Sequence, residues 1–526
     1  MKTRAIRLYG VDDIRLEEFE LPEIADDEIL VKVVSDSICM STWKTVKQGA
    51  KHKRVPDDVH ENPVIIGHEF AGDIIQVGKK WQDRVQPGQK FAQQPAISGH
   101  MESPGYSYQW CGGDTEYCIF PNDIIEAGCL WTYDGDAYFA SSVAEPVSCC
   151  IGGYHTNYHT KPGSYEHVMG TKEGGSILIL GGCGPMGLGA ISYGLTFENK
   201  PKRIVVTEIS DARIARAREV ISEKEAARHG VELVYVNTAS LEDPEKHLMD
   251  LTEGKGYDDV FVYIPNAAVC EMGNRLLAYD GCMNLFAGPT NAEFSATVNL
   301  YDSHYSRTKI IGSTGGTIDD MKEAIEKNAD GRIESAVMIT HVGGLDSAVE
   351  VTKDLPNVPG GKKLVYTHIN MPMTAIEDLD SLADKDTFFL ELDKVCRENR
   401  GLWSAKAERM LLEHFAETAA WCRACGPGRS RPLTRVYTYV RISRIPAQKG
   451  QRISAVPLSC VCRAVPFASG SLHTPALLVE DRKRQTFYNG CMDKYEGKTE
   501  SGRSRWMALT ALVLVIAIVV VYVLSW

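Results

Sequence analysis

A thiol, an imidazole and two carboxylates stand in the first third of the chain in types that suit metal chemistry: Cys39 in SICMSTWK, His68 and Glu69 in IIGHEFAG, and Glu145 in AEPVSCC. Drawn from separate turns, such donors suit a catalytic Zn²⁺, which binds thiolate, imidazole and carboxylate and keeps one position open for substrate. The ion would polarise a carbonyl or lower the pKa of an alcohol, and Ser41, two residues after the thiol, is placed to carry the proton. Taken alone, His68 and Glu69 read first as a half-buried histidine beside a solvated neighbour, and the rest of the chain changes that reading.

A second constellation suits a dinucleotide. In GGCGPMG, Gly182, Gly184 and Gly187 fit G-x-G-x-x-G, with Pro185 and Met186 between the last two, after the apolar run SILIL. Glycine permits a tight turn and close approach to a pyrophosphate seated on helix N-terminal amides. Glu208 follows Gly187 after about 20 residues, the separation at which a carboxylate accepts from the adenosine ribose hydroxyls. That favours NAD, although Glu208 also suits a cap for a helix starting near Ser210. Arg213 suits the extra phosphate of NADP, so both cofactors stay open.

These residues need elements to hold them. EILVKVVSDSI, VIIGHEFAGDIIQVG and QPGQKFAQQPAI mix β-branched residues with Gly and Pro punctuation, which predicts a mostly β domain over residues 1–153. SILIL, RIVVTEIS, YDDVFVYIPN and CMNLFAGP alternate with helical stretches, which predicts a parallel, doubly wound sheet over 154–300. KIIGSTGG and KKLVYTHI restore the turn-rich texture over 301–370, and the spacing of LWSAKAERMLLEHFAE predicts a helical extension over 371–418.

In that order, Cys39 with a hydroxyl two residues on, Gly-His-Glu, Glu-Pro and GGCGPMG resemble the zinc-dependent medium-chain dehydrogenase/reductase (alcohol dehydrogenase-like) family. HKRVPDDVHENPVIIGHEF, AEPVSCCIGGYHTNYHT and GSTGGT are similar to its L-sorbose 1-phosphate reductase branch, and the likeness covers about residues 1–418. The resemblance implies a GroES-like catalytic domain, split in sequence, joined to a Rossmann domain. It implies Cys39, His68 and Glu145 as ligands of one catalytic zinc, with Glu69 an alternate or supporting ligand, and reduction of a ketose phosphate by NADH or NADPH. It also implies a homo-oligomer, a dimer or tetramer.

Two departures matter. Only Cys111 and Cys118 stand where many members carry four cysteines for a second zinc, and two thiolates cannot complete a tetrahedral site, so one zinc per chain is expected. Lys44 replaces a histidine that often relays the proton, which leaves the route beyond Ser41 open.

Lys51, His52, Lys53 and Arg54 form a basic cluster shortly before the His68 strand. Such a run is commonly a solvated face, but in an acidic body Lys51, Lys53 and Arg54 suit an anionic substrate such as a sugar phosphate. Of 57 Lys and Arg, 16 follow residue 418, against 5 of 69 Asp and Glu, leaving 41 basic and 64 acidic groups before it. So acidic a body argues against a nucleic-acid partner.

Ten of the 15 cysteines lie before residue 419 without a framework, which suits free thiols in a cytoplasmic protein, and Cys149 and Cys150 suit packing. The start, MKTRAIRLYGVDD, lacks the apolar core of a secretory signal. Residues 419–505 read as basic and disordered, and uncharged residues 507–525 as a terminal hydrophobic helix long enough to anchor the chain in a membrane. A fused or read-through tail explains the same texture. Two other functions fit the residues: a polyol or threonine-type alcohol dehydrogenase, and a non-catalytic, membrane-tethered binding protein.

Overall fold

The computed structural model describes residues 1–95 and 100–425. The expected segment 419–505 lies outside them beyond Cys425, and so does the expected helix at 507–525. Among the described residues no helix is long and apolar enough to cross a membrane.

The β-branched runs of the N-terminal part become strands. Ile29–Ile38 lies at the centre of an eight-stranded sheet, paired antiparallel with Phe70–Val77 and with Lys362–Tyr366. Lys90–Gln93 and Leu130–Tyr133 extend one side, and Ile339–Gly344 and Thr374–Ala375 the other. The sheet therefore draws strands from both ends of the described chain. This split puts Lys362, on a late strand, beside the turn that carries Glu69.

Ser176–Leu180, wholly buried, is the first strand of a six-stranded parallel sheet. Its order in space is Glu232–Asn237, Arg203–Glu208, Ser176–Leu180, Tyr257–Val262, Leu277–Leu285, Lys309–Gly312. This is the dinucleotide-binding order, in which the chain reverses direction across the sheet beside the first strand and leaves a crevice there. The sequence reading ended this domain at residue 300 and gave Lys309–Gly312 to the returning catalytic part; the strand instead pairs in parallel with Leu277–Leu285. Its short, partly exposed residues lack the apolar run that marked the other strands, because an edge strand is covered on one side only.

Helix Ala144–Thr156 packs against both Pro185–Gly194 and Ile318–Ala329, while the short helix Phe139–Ser142 before its Glu145 end packs on the strand Ile29–Ile38 of the eight-stranded sheet. The C-terminal extension packs firmly on the body. Trp403 is 1 % exposed and its Nε1 donates to the Tyr366 hydroxyl at 2.7 Å. Glu408, also buried, accepts from the amides of Tyr138 and Phe139 at 2.7 and 2.8 Å and from Tyr366 at 2.8 Å. The last helix, Ala405–Cys425, runs past its expected end at 418.

Candidate active site

Cys39 closes the strand Ile29–Ile38 and caps helix Met40–Gln48. The first helical turn brings the Ser41 hydroxyl back to 3.0 Å from Cys39 Sγ and 3.2 Å from His68 Nε2. His68 and Glu69 sit on the turn between Val64–Ile65 and Phe70–Val77. That turn needs Gly67, at φ +88°, where a Cβ would stand 2.1 Å from Asp36 Oδ2 and 2.6 Å from the Asp114 amide.

The donor atoms of Cys39, His68 and Glu69 all lie within 4.8 Å of one another. Thr42 Oγ1 sits 3.2 Å from His68 Nδ1 and fixes the ring, leaving Nε2 turned to Cys39 and Ser41. Gln93 Nε2 holds the His68 carbonyl at 2.6 Å. Burial holds the His68 imidazole below its ordinary pKa, so the ring is neutral, as a metal ligand must be.

Glu69 is fully buried and already satisfied. Lys362 Nζ contacts both its oxygens, at 2.6 Å to Oε2, and Ser37 donates to it as well. Burial pushes this carboxyl up, but the Lys362 ammonium outweighs it and holds the group below the usual carboxylate range. Glu145 falls outside the mutual 4.8 Å set. It is 8 % exposed, with the Cys149 thiol at 3.6 Å from Oε1, and burial followed by repulsion from Glu69 pushes it up to about 7.

Three residues that the sequence reading did not single out complete the surroundings. Tyr106 places its hydroxyl 3.3 Å from His68 Nε2, the nitrogen that the Ser41 hydroxyl also approaches. Thr42 and Lys362 orient the histidine and neutralise the glutamate. Tyr106 follows His68 by 38 residues and Lys362 follows Glu69 by 293, and no local spacing announces either contact.

The other expected residues divide. Lys44 Nζ donates to the Gly288 carbonyl at 2.8 Å, tying the catalytic domain to the parallel-sheet domain. Lys51 and Lys53 are exposed and meet nothing in the site, whereas Arg54 is half-buried, its guanidinium 5.5 Å from the centre of the Tyr106 ring. Cys150 is buried with its Sγ toward the Met186 carbonyl at 3.2 Å, a packing role.

At the glycine turn, Gly184 caps helix Pro185–Gly194, and a Cβ there would meet only open space. Pro185 takes the first helical position, where a missing N–H costs nothing. A Cβ on Gly187 would stand 2.2 Å from the Gly182 carbonyl, so this crossing admits glycine alone. Glu208 ends its strand 5 % exposed, accepting from its neighbour Ile209 N at 2.8 Å, with Arg213 at 3.7 Å. Ser210, not Glu208, caps the following helix.

A family profile described as alcohol dehydrogenase GroES-like domain matches residues 25–130, and one described as zinc-binding dehydrogenase matches 185–330. Mannitol-1-phosphate 5-dehydrogenase of Aliivibrio fischeri is 47 % identical over 417 residues, covering 79 % of this chain and 98 % of the relative. The chain belongs to the zinc-binding alcohol dehydrogenase family.

L-sorbose 1-phosphate reductase of Klebsiella pneumoniae is 45 % identical over 415 residues, 78 % of this chain and 98 % of that protein. Among solved structures, 2R,3R-butanediol dehydrogenase from Bacillus subtilis shares the fold with a TM-score of 0.56 at 20 % identity, over 69 % of this chain and 99 % of its own. An alcohol dehydrogenase from Thermotoga maritima matches with 0.55 at 17 % over 70 % and 100 %. The protein is therefore an enzyme, an oxidoreductase with a GroES-like part and a Rossmann sheet, and the reading as a non-catalytic tethered protein is set aside.

Proposed function

We propose that this enzyme interconverts a ketose phosphate and a polyol phosphate, using one zinc per chain and NAD(H). The observation that supports it most is the meeting of Cys39, His68 and the Ser41 hydroxyl inside a dehydrogenase fold. The relatives' names, a sugar-phosphate reductase and a polyol-phosphate dehydrogenase, support the substrate class.

The donor set fits zinc: a thiol, a neutral imidazole with its second nitrogen anchored, and buried carboxyls. Cys39, His68 and Glu145 would hold the ion, with Glu69 bound to Lys362 behind them. The assignment of Glu145 rests on hydrogen bonding, since both Glu69 oxygens already face an ammonium and Glu145 has only a weak thiol contact. When bound, the ion acts as a Lewis acid toward the substrate oxygen.

The chain's own residues do the rest. Gly182, Gly184 and Gly187 shape the pyrophosphate turn, and Glu208 takes the ribose hydroxyls, its negative charge disfavouring the extra phosphate of NADP. A bound nicotinamide would supply the hydride for the substrate's carbonyl carbon, and Ser41, its hydroxyl beside Cys39 and His68, is placed to pass a proton to the substrate oxygen. Tyr106, whose hydroxyl shares His68 Nε2 with Ser41, continues that route, a position Lys44 does not hold because its ammonium is engaged by Gly288.

A homo-oligomer also fits: Leu300, Tyr301, Tyr305 and the edge-strand residue Ile310 lie exposed along one end of the parallel sheet. Light scattering on the purified protein measures the copy number. The function is tested by NADH and NADPH oxidation with L-sorbose 1-phosphate and with L-sorbose, before and after chelation. A chelator-sensitive rate preferring the phosphate and NADH is expected. Equal rates on the two sugars would move the substrate to an uncharged polyol or ketose.

A further inference from the structure

The basic run before the His68 turn does not act as a unit. Lys51 and Lys53 face solvent, while His52 and Arg54 turn inward to one ring, Tyr106. His52 stacks on Tyr106 with centroids 5.5 Å apart and planes 9° apart, and the Arg54 guanidinium carbon lies 5.5 Å from the same ring's centre. Tyr106 in turn packs on His68, with ring centroids 4.9 Å apart. The pair is thus one aromatic ring away from the proposed metal ligand.

Both groups are built in place and keep unused donors. Arg54 Nη1 is tied to the buried Ser103 hydroxyl, and Ser107 Oγ holds the Arg54 carbonyl at 2.7 Å. The Arg54 amide donates to His52 Nδ1 at 3.3 Å, which leaves the ring hydrogen on Nε2. Among the described residues no carboxylate pairs with Arg54, Lys44, Lys51 or Lys53, although the surrounding chain is acidic. A half-buried guanidinium with no anion, held rigid next to an active site, suits a planar, multidentate anion such as a phosphate monoester.

We propose that Arg54, with His52 beside it on the Tyr106 ring, receives the phosphate group of the substrate, and that Lys51 and Lys53 take no part. This rests on the sugar-phosphate reading and names the residues that would enforce it. Tyr106 then joins the two ends of the site, contacting the phosphate-binding pair on its ring and the proton route at its hydroxyl.

The test uses the full chain as wild type, Arg54→Met, Arg54→Lys and the double Lys51→Met/Lys53→Met. Inorganic phosphate is titrated calorimetrically, and kcat/KM is measured for L-sorbose 1-phosphate and L-sorbose. For Arg54→Met we expect phosphate affinity and the preference for the phosphorylated sugar to fall together, each by about tenfold or more, the size of a lost charge-assisted contact. Arg54→Lys should fall between, because it keeps the charge and loses the fork, and it also serves if Arg54→Met fails to fold. The lysine double variant should stay within about threefold of wild type, as solvated charges do. Phosphate binding that is equal in wild type and both Arg54 variants, or lost only in the lysine double variant, overturns the proposal. If wild type turns over neither sugar yet binds phosphate through Arg54, the sugar-phosphate reading fails and the anion site stands.

Discussion

Lys362→Met removes the ammonium that contacts both oxygens of the fully buried Glu69, and its cost follows from the burial of both partners. Lys362 is 5 % exposed and Glu69 is not exposed at all, so water cannot replace the lost charge. Deleting one member of such a pair costs about 3–5 kcal/mol, most of it the penalty of an uncompensated buried carboxylate. Without the ammonium, burial alone acts on Glu69 and raises its pKa.

The sign with pH follows. In the wild type Glu69 titrates below its ordinary value and Lys362 above its own, so the pair stabilises the fold between about pH 4.5 and 10.5, with loss as pH falls through the Glu69 value or rises through the Lys362 value. In the variant Glu69 titrates high, so the difference from wild type should be small near pH 4.5 and grow as pH rises. Chemical denaturation at several pH values, with zinc present and after chelation, measures it. The double variant Lys362→Met/Glu69→Gln, which removes both charges, should recover most of the loss. A single-variant cost below about 1 kcal/mol at pH 7.5, or a double variant no better than the single, would refute the assignment of a buried ion pair here.

Thr42→Val deletes the hydroxyl 3.2 Å from His68 Nδ1; zinc affinity, read by competition with a chromogenic chelator, should fall about 10–100-fold, the usual cost of losing a partner that orients a ligand. Ser41→Ala should lower kcat by about 10²–10⁴-fold with zinc content unchanged, as loss of a proton-transfer group does; a smaller loss would place the proton route elsewhere. Glu408 is pushed up to about 7, chiefly by burial, so docking of the C-terminal helices should be strongest near pH 4.5 and weaken as pH rises through 7. Limited proteolysis of that helix across pH should show this trend in wild type and a flat profile in Glu408→Gln. Replacing Glu208 by Gln should lower the NADH-over-NADPH preference by about tenfold, the value of a charge-assisted hydrogen bond, in a steady-state comparison of the two cofactors.

Much of this protein is legible locally. Gly182, Gly184 and Gly187 announce their turn because backbone crowding forbids a side chain at Gly187, and that constraint is written in residue type. Cys39, His68, Glu69 and Glu145 suit a metal by residue type, and the fold brings the donor atoms of the first three within 4.8 Å of one another; the apolar runs of the buried parallel strands announce the sheet. The tertiary structure decided what the chain brings together from afar. Lys362 reaches Glu69 because a strand late in the sequence pairs with Ile29–Ile38, and long-range pairing leaves no periodic trace. The edge strand Lys309–Gly312 was hidden because half-covered strands need no continuous apolar run. Among four neighbouring cationic or imidazole side chains, only the fold turned His52 and Arg54 to Tyr106 and left Lys51 and Lys53 in water, since the direction of a side chain from a loop is set by what packs beneath it.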